Sequence, residues 1–124
     1  MKAKIHSIAA KAHFMIAEDF DKQCLSEKDE EIKIGLRTVA TQNYFYAAVN
    51  AIEYIFAEKL EQHSFNHENR LRKLLEHSSF FSQEILTLYE LVDRDVRNKV
   101  AYRGENGKKY ESVKRLASLV VAGV

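Results

Sequence analysis

The sequence predicts an all-α fold: an up-and-down bundle of about five helices in one domain spanning residues 1–124. Three observations predict it. The 124 residues include no proline and only four glycines, so little interrupts regular structure. Apolar residues recur at intervals of three and four along most of the chain, the period of a helix that turns one face to a core. No stretch alternates apolar and polar residues as a half-buried strand must, and no internal repeat or low-complexity segment is present. A chain of this length buries roughly two-thirds of the surface its unfolded form exposes, which suffices for one core.

Residues 3–22 form the first predicted helix, with Ile5, Ile8, Ala9, Ala12, Met15, Ile16 and Phe20 as its apolar stripe and Lys4, Lys11 and Glu18 on its polar face. The connection FDKQCLSE follows and contains Cys24. In SEKDEE, Ser26 can cap a second helix, Asp29 sits three residues on, and the acidic cluster suits the positive end of the helix dipole. This helix runs to about Gln62, with Gly35 as a tolerated weak point. Phe45, Val49, Ile52, Phe56 and Leu60 make one stripe, and Tyr44, Ala47, Ala48, Ala51 and Ile55 an adjacent one whose small residues admit a close neighbour. With more than half its girth apolar, it is the predicted central helix.

HSFN breaks the pattern, and Asn66 can cap a third helix with Leu71, Leu74 and Leu75 inward. After HSSF, Ser82 can cap a fourth, on which Ile85, Leu88, Tyr89, Val92, Val96 and Val100 hold one face until Gly104 stops it. ENGKK reads as a turn. Tyr110, Val113, Leu116, Ala117 and Val120 define the last helix.

The charge is uneven although its sum is only +1. From Arg94 onward eight Lys or Arg face three acids, a balance of +5, whereas the first 93 residues carry 11 basic and 15 acidic groups, a balance of −4. A positive end on a mildly acidic body suits a phosphate-bearing ligand, although such a run is also what a solvated face looks like. One cysteine cannot form an internal disulfide, and MKAKIHSIAAKAHF is broken by charge before the apolar run of a signal peptide can develop, so a cytoplasmic location is expected. LASLVVAGV is far shorter than the roughly 20 residues that cross a bilayer, and no membrane association is expected.

The stretch RNKVAYRG, from Arg97 to Gly104, concentrates donors where the fourth helix stops. Arg97 offers a permanently charged planar fork suited to phosphate or carboxylate. Asn98 can both donate and accept, and Tyr102 can stack or donate but is a poor general base near neutrality. On a straight helix Asn98 and Tyr102 share a face, while Arg97 points about 140 degrees away from Tyr102. A second copy across a two-fold axis is the economical way to bring such groups together. Arg94, Arg103, Lys108 and Lys109 can widen the positive rim. The bland alternative is a helix end in which Asp93 pairs with Arg97, Arg94 and Arg103 stay solvated, and Tyr102 packs with its hydroxyl at the rim.

RNKVAYRG resembles the signature of HEPN domains, small helical bundles whose motif is Arg, then a polar residue such as Asn, with His four to six positions after the Arg. Arg97 and Asn98 match it, and Tyr102 stands in the His place. NYFYAAVNAIEYIFAEKL is similar to the family's central helix, and NHENRLRKLL to the His-led helix after it; the likeness spans roughly residues 3–120. The resemblance implies a dimer joined through the face that contains the Arg97 helix. It also implies binding of nucleotide or RNA phosphate near Arg97, Asn98 and Tyr102, and a minimal nucleotidyltransferase as partner in a toxin–antitoxin-like pair. Many HEPN proteins are metal-independent ribonucleases in which the His moves a proton. Here a phenol replaces it, and Gly104 stands where toxin members often carry Tyr, so the resemblance implies binding more directly than cleavage. The enzymatic alternative is an endoribonuclease in which Tyr102, or a histidine from elsewhere such as His67, takes the imidazole's place. A third reading is a helical protein-interaction module.

Other constellations are weaker. His63 and His67 have helical metal-ligand spacing, but Ser64 and Asn66 mark a turn and no further ligand follows, so no metal is expected. His6, His13 and His77 are isolated, and Cys24 has no local base. There is no Gly-rich phosphate loop, GxSxG elbow or paired-carboxylate motif, and no cofactor is expected.

Overall fold

The computed structural model describes residues 2–64, 67–97 and 107–124, and for Asp95, Val96, Arg97, His67 and Gly107 the backbone only. The described residues form an all-helical bundle of five α-helices: α1 (Ala3–Ser26), α2 (Glu30–Leu60), α3 (His67–Glu76), α4 (Gln83–Arg97) and α5 (Gly107–Val121), with a 3-10 turn at Ser78–Phe80 before α4. Among the described residues no helix is long and apolar enough to cross a membrane.

α2 is the central element because two adjacent sides of it are apolar. Both stripes are occupied: Tyr44, Phe45, Ala47, Ala48, Ala51, Ile52 and Phe56 are buried, and α1 and α5 pack along it. Asp29, not Ser26, caps it: the Asp29 carboxylate accepts from the Ile32 N–H at 3.0 Å, and Ser26 is instead the last residue of α1. Its other end turns through Glu61 in the left-handed region, φ 53°, where the Gln62 N–H reaches back to the Phe56 carbonyl.

α1 departs from expectation in length and in face. It continues past residue 22 to Ser26, so Cys24 lies in its last turns, buried, with Sγ–H donating to the Lys33 carbonyl at 3.6 Å. The aliphatic stripe points outward: Ile5, Ile8, Met15 and Ile16 are 49%, 57%, 69% and 43% exposed. The inward face carries His6, Ala10, Ala17, Asp21 and Cys24. Two hydrogen bonds set its antiparallel register on α2, from His6 Nδ1 to Asn50 Oδ1 at 3.1 Å and from His13 Nδ1 to Asn43 Oδ1 at 3.0 Å. Along that seam Ala10 and Ala17 on α1 and Ala40 and Ala47 on α2 are all fully buried. Small residues on both sides let the two backbones approach closely, and the larger side chains are left on the far side.

On α3, Leu74 is buried and Leu71 partly so, but Leu75 is 55% exposed, because one position of rotation carries it about 100 degrees off the inward face. Ser82 caps α4 as expected, its hydroxyl accepting from the Ile85 N–H at 3.2 Å. Tyr89 and Val92 are buried, with Ile85 and Leu88 packed at the core's margin. Val100 and Gly104 lie outside the described residues, as does Asn66. α5 begins at Gly107, so the second half of ENGKK is helical rather than a turn. Tyr110, Val113, Leu116, Ala117 and Val120 all face the core. Glu84 and Arg115 pair at 2.9 Å between α4 and α5, and Ile85 shares a groove with Leu119 and Val120.

Candidate functional site

The motif that the sequence singles out begins at the last residue of α4. The Arg97 side chain lies outside the described residues, and so do Asn98, Tyr102 and Arg103. Their neighbours are placed. Arg94 is exposed on the last turn of α4, and Lys108 and Lys109 occupy the first turn of α5. α4 and α5 pack together, and Glu84 near the start of α4 pairs with Arg115 on α5.

Leading up to Arg97 on α4 is a buried polar row. Tyr89 and Asp93 are four residues apart and 0% and 2% exposed, and position 97 follows after another four. Tyr89 joins the row to α2 and α3. Its hydroxyl accepts from Arg70 Nη1 at 3.4 Å, and Arg70 Nε donates to Glu53 Oε1 at 3.1 Å. The other Glu53 oxygen accepts the Ser64 N–H at 3.0 Å. A buried ion pair persists only when its remaining polar atoms are matched, and here both carboxylate oxygens are engaged. Burial works against the Arg70 charge, but the Tyr89 hydroxyl and the Glu53 carboxylate outweigh it and hold the guanidinium more firmly protonated than usual. Burial pushes the Tyr89 phenol up to about 12, against the pull of Arg70.

Beside this pair opens a cavity of about 360 Å³ lined by His6, Val49, Asn50, Glu53, His63, Ser64 and Arg70. Its histidines form a chain. The Asn50 amide NH₂ donates to the Tyr46 carbonyl at 2.9 Å, so Asn50 Oδ1 is the acceptor and His6 Nδ1 must carry the proton. His6 Nε2 lies 3.3 Å from His63 Nδ1, so one of these two nitrogens donates and the other accepts. Lys73 fixes the loop by donating to the His63 carbonyl at 2.7 Å. Two histidines that look isolated in the sequence are thus rungs of one ladder: His13–Asn43 repeats His6–Asn50 one heptad away, with Asn43 likewise anchored on the Val39 carbonyl. The signal was present as H-x6-H on one helix and N-x6-N on the next, but the partners are 30 and 44 residues apart and periodicity does not pair them.

A second polar cluster joins α1 to α5. Asp21, buried, accepts from the Tyr110 hydroxyl through one oxygen and from Lys114 Nζ at 2.8 Å through the other. Burial and the neighbouring Asp21 carboxylate both raise the Tyr110 pKa, and burial raises that of Tyr44, which bonds to Tyr110. Each oxygen of Asp21 is engaged, so this cluster reads as a tie between helices. Among the described residues no group of three or more His, Cys, Asp or Glu is gathered to hold a metal ion. The His67 side chain is outside the described residues.

Comparison of the chain with protein-family models, with curated proteins and with solved structures finds no match.

Proposed function

We propose that the chain is a HEPN-type helical protein that acts as a dimer and binds nucleotide or RNA phosphate at the end of α4, in partnership with a minimal nucleotidyltransferase. Arg97 grips the phosphate, Asn98 fixes its geometry, and Tyr102 stacks or donates a hydrogen bond. Arg94, Arg103, Lys108 and Lys109 supply the positive rim. The observation that carries the reading is the buried polar row Tyr89–Asp93 on α4, which leads to position 97 and is braced by the Arg70–Glu53 pair. Burying four polar side chains is costly unless they are matched, and such a braced row suits a rigid support for a charged group at its end.

A second reading, a metal-independent endoribonuclease, is favoured by the His6–His63 pair, which sets an imidazole on the wall of the cavity beside Glu53 and Arg70. Imidazole is the side chain best suited to proton transfer near neutrality. In this reading His63 Nε2 takes the 2′-hydroxyl proton, the 2′-oxygen attacks the adjacent phosphorus, and the P–O5′ bond breaks. The 5′-oxygen takes a proton from Tyr102, leaving a 2′,3′-cyclic phosphate.

One experiment tests both. Purified protein is incubated with mixed RNA in EDTA and assayed for binding and cleavage, alongside Arg97→Ala and His63→Ala. Binding that falls at least about tenfold in Arg97→Ala, a loss of one charge-assisted contact, supports phosphate recognition. Cleavage that disappears in both variants supports the nuclease. RNA and nucleotide affinity equal in wild type and Arg97→Ala sinks both and leaves a protein-interaction module.

A further inference from the structure

His6 and His63 are 57 residues apart in the sequence and meet on the wall of the cavity beside Glu53 and Arg70. Their facing nitrogens, His6 Nε2 and His63 Nδ1, are 3.3 Å apart, which is long for a hydrogen bond. Nor do the rings point straight at each other. A straight N–H···N bond of that length holds the ring centres about 5.6 Å apart, whereas these centres are 5.2 Å apart with the planes tilted by 42°. Two imidazoles bound to one tetrahedral ion at about 2.05 Å place their nitrogens about 3.3 Å apart and their ring centres about 5.2 Å apart. A square-planar or octahedral ion with similar bond lengths needs adjacent nitrogens within about 3.0 Å. The pair therefore has the spacing of two ligands on a tetrahedral ion.

We propose that His6 Nε2 and His63 Nδ1 are two ligands of a zinc ion whose remaining positions are held by water. The surroundings of both rings suit that role. Asn50 Oδ1 accepts from His6 Nδ1–H at 3.1 Å, which turns Nε2 toward the ion and holds the ring, as a carbonyl oxygen behind a zinc-bound histidine does. His63 lies on a loop, but Lys73 donates to its carbonyl at 2.7 Å and fixes it. The cavity of about 360 Å³ has room for the waters on the ion. Ser64 Oγ, buried on its wall, has no hydrogen-bond partner among the described residues, and a metal-bound water supplies one. Both Glu53 oxygens are engaged by Arg70 and the Ser64 N–H, so this carboxylate stays outside the coordination sphere. With both rings neutral, the proton between them moves to the outer nitrogen of His63 as the ion enters, and none is released. The ion ties α1 to the turn that leads into α3.

Calorimetric titration of the untagged full chain with zinc chloride in chelator-free buffer tests it, with cobalt(II) as a spectroscopic stand-in and circular dichroism as the check on folding. One equivalent of zinc is expected to bind with a Kd of about 1–100 µM. Cobalt is expected to give the intense visible bands of a tetrahedral ion, not the faint ones of a six-coordinate ion. His6→Ala and His63→Ala are each expected to weaken zinc at least about tenfold, Asn50→Leu to weaken it about tenfold, and His13→Ala to bind as wild type does. Zinc is also expected to raise the melting temperature of wild type and not that of His63→Ala. No binding up to about 1 mM zinc overturns the proposal. So does binding that is unchanged in His6→Ala and His63→Ala, or a six-coordinate cobalt spectrum. If His6→Ala does not fold, His63→Ala decides alone: weakened zinc binding supports the site and unchanged binding overturns it. The titration contains no RNA and the RNA assay runs in EDTA, so this site and the phosphate reading fail separately.

Discussion

Tyr89 shows how a single buried hydroxyl couples stability to pH. Its folded pKa is about 12 against an ordinary 10.0, because burial disfavours the phenolate. Below pH 10 both folded and unfolded chains keep the proton and no stability is lost. Between pH 10 and 12 the unfolded chain releases the proton while the folded one holds it, so unfolding gains free energy. At roughly 1.4 kcal/mol per unit this removes about 3 kcal/mol by pH 12. Tyr44 and Tyr110 are shifted in the same direction and add to the loss. Urea midpoints measured from pH 8 to 12 are expected to fall steeply above 10 in wild type and less steeply in Tyr89→Phe, which has no proton to release; equal slopes contradict this role for Tyr89. At this scale the sequence was least informative. Glu53, Arg70, His6 and Asn50 are ordinary members of helical patterns, and their meeting depends on contacts across 17 and 44 positions.

At the scale of elements, legibility followed the number of buried faces. α2 buries both of its apolar stripes, so any reading of its period found the core. α1 has an aliphatic stripe on one side and a mixed face of Ala, His, Asp and Cys on the other, and hydrophobicity alone selects the wrong one. What decides is fit: small residues and matched polar groups pack against α2, and the larger stripe faces out. Caps were legible where a side chain and its N–H lie three residues apart, as with Ser82. The start of α2 was shifted, because Asp29 competes with Ser26 and forms the bond to Ile32. Two substitutions on α2 follow from these local terms. Gly35→Ala, with open space where the Cβ would go, is expected to raise stability by about 0.5–1 kcal/mol. Asp29→Ala is expected to lower it by about 1 kcal/mol through loss of the cap. Opposite signs in urea denaturation check both; a destabilising Gly35→Ala contradicts the open environment at that site.

For the whole molecule, α1 closes onto the bundle chiefly through α2, and Asp21 supplies its polar tie to α5. Asp21→Ala leaves the Tyr110 hydroxyl buried without its acceptor, and the expected loss is about 2 kcal/mol, the cost of one unsatisfied buried donor. Tyr110→Phe in the same background is expected to recover part of that loss, because it removes the stranded group; a double variant as unstable as the sum of the two singles shows the groups to be independent. The all-helical class and the order of five helices were legible because composition and period act along the whole chain. The charge excess after Arg94 was legible as charge; of its members Arg94 lies exposed on the last turn of α4, and Lys108 and Lys109 on the first turn of α5. The cavity beside Arg70 was not, since it exists only once α1, α2 and the turn before α3 are assembled.

Cys24 is the one cysteine of the sequence, buried under the α1–α2 turn with its proton shared with the Lys33 carbonyl, and burial raises its pKa above the usual 9.0. Because the thiolate is the reactive form, both access and ionisation are closed while the turn is shut. The native chain therefore carries its own clock: each alkylation event records one opening of the hairpin that holds α1 to the bundle, with no label engineered in.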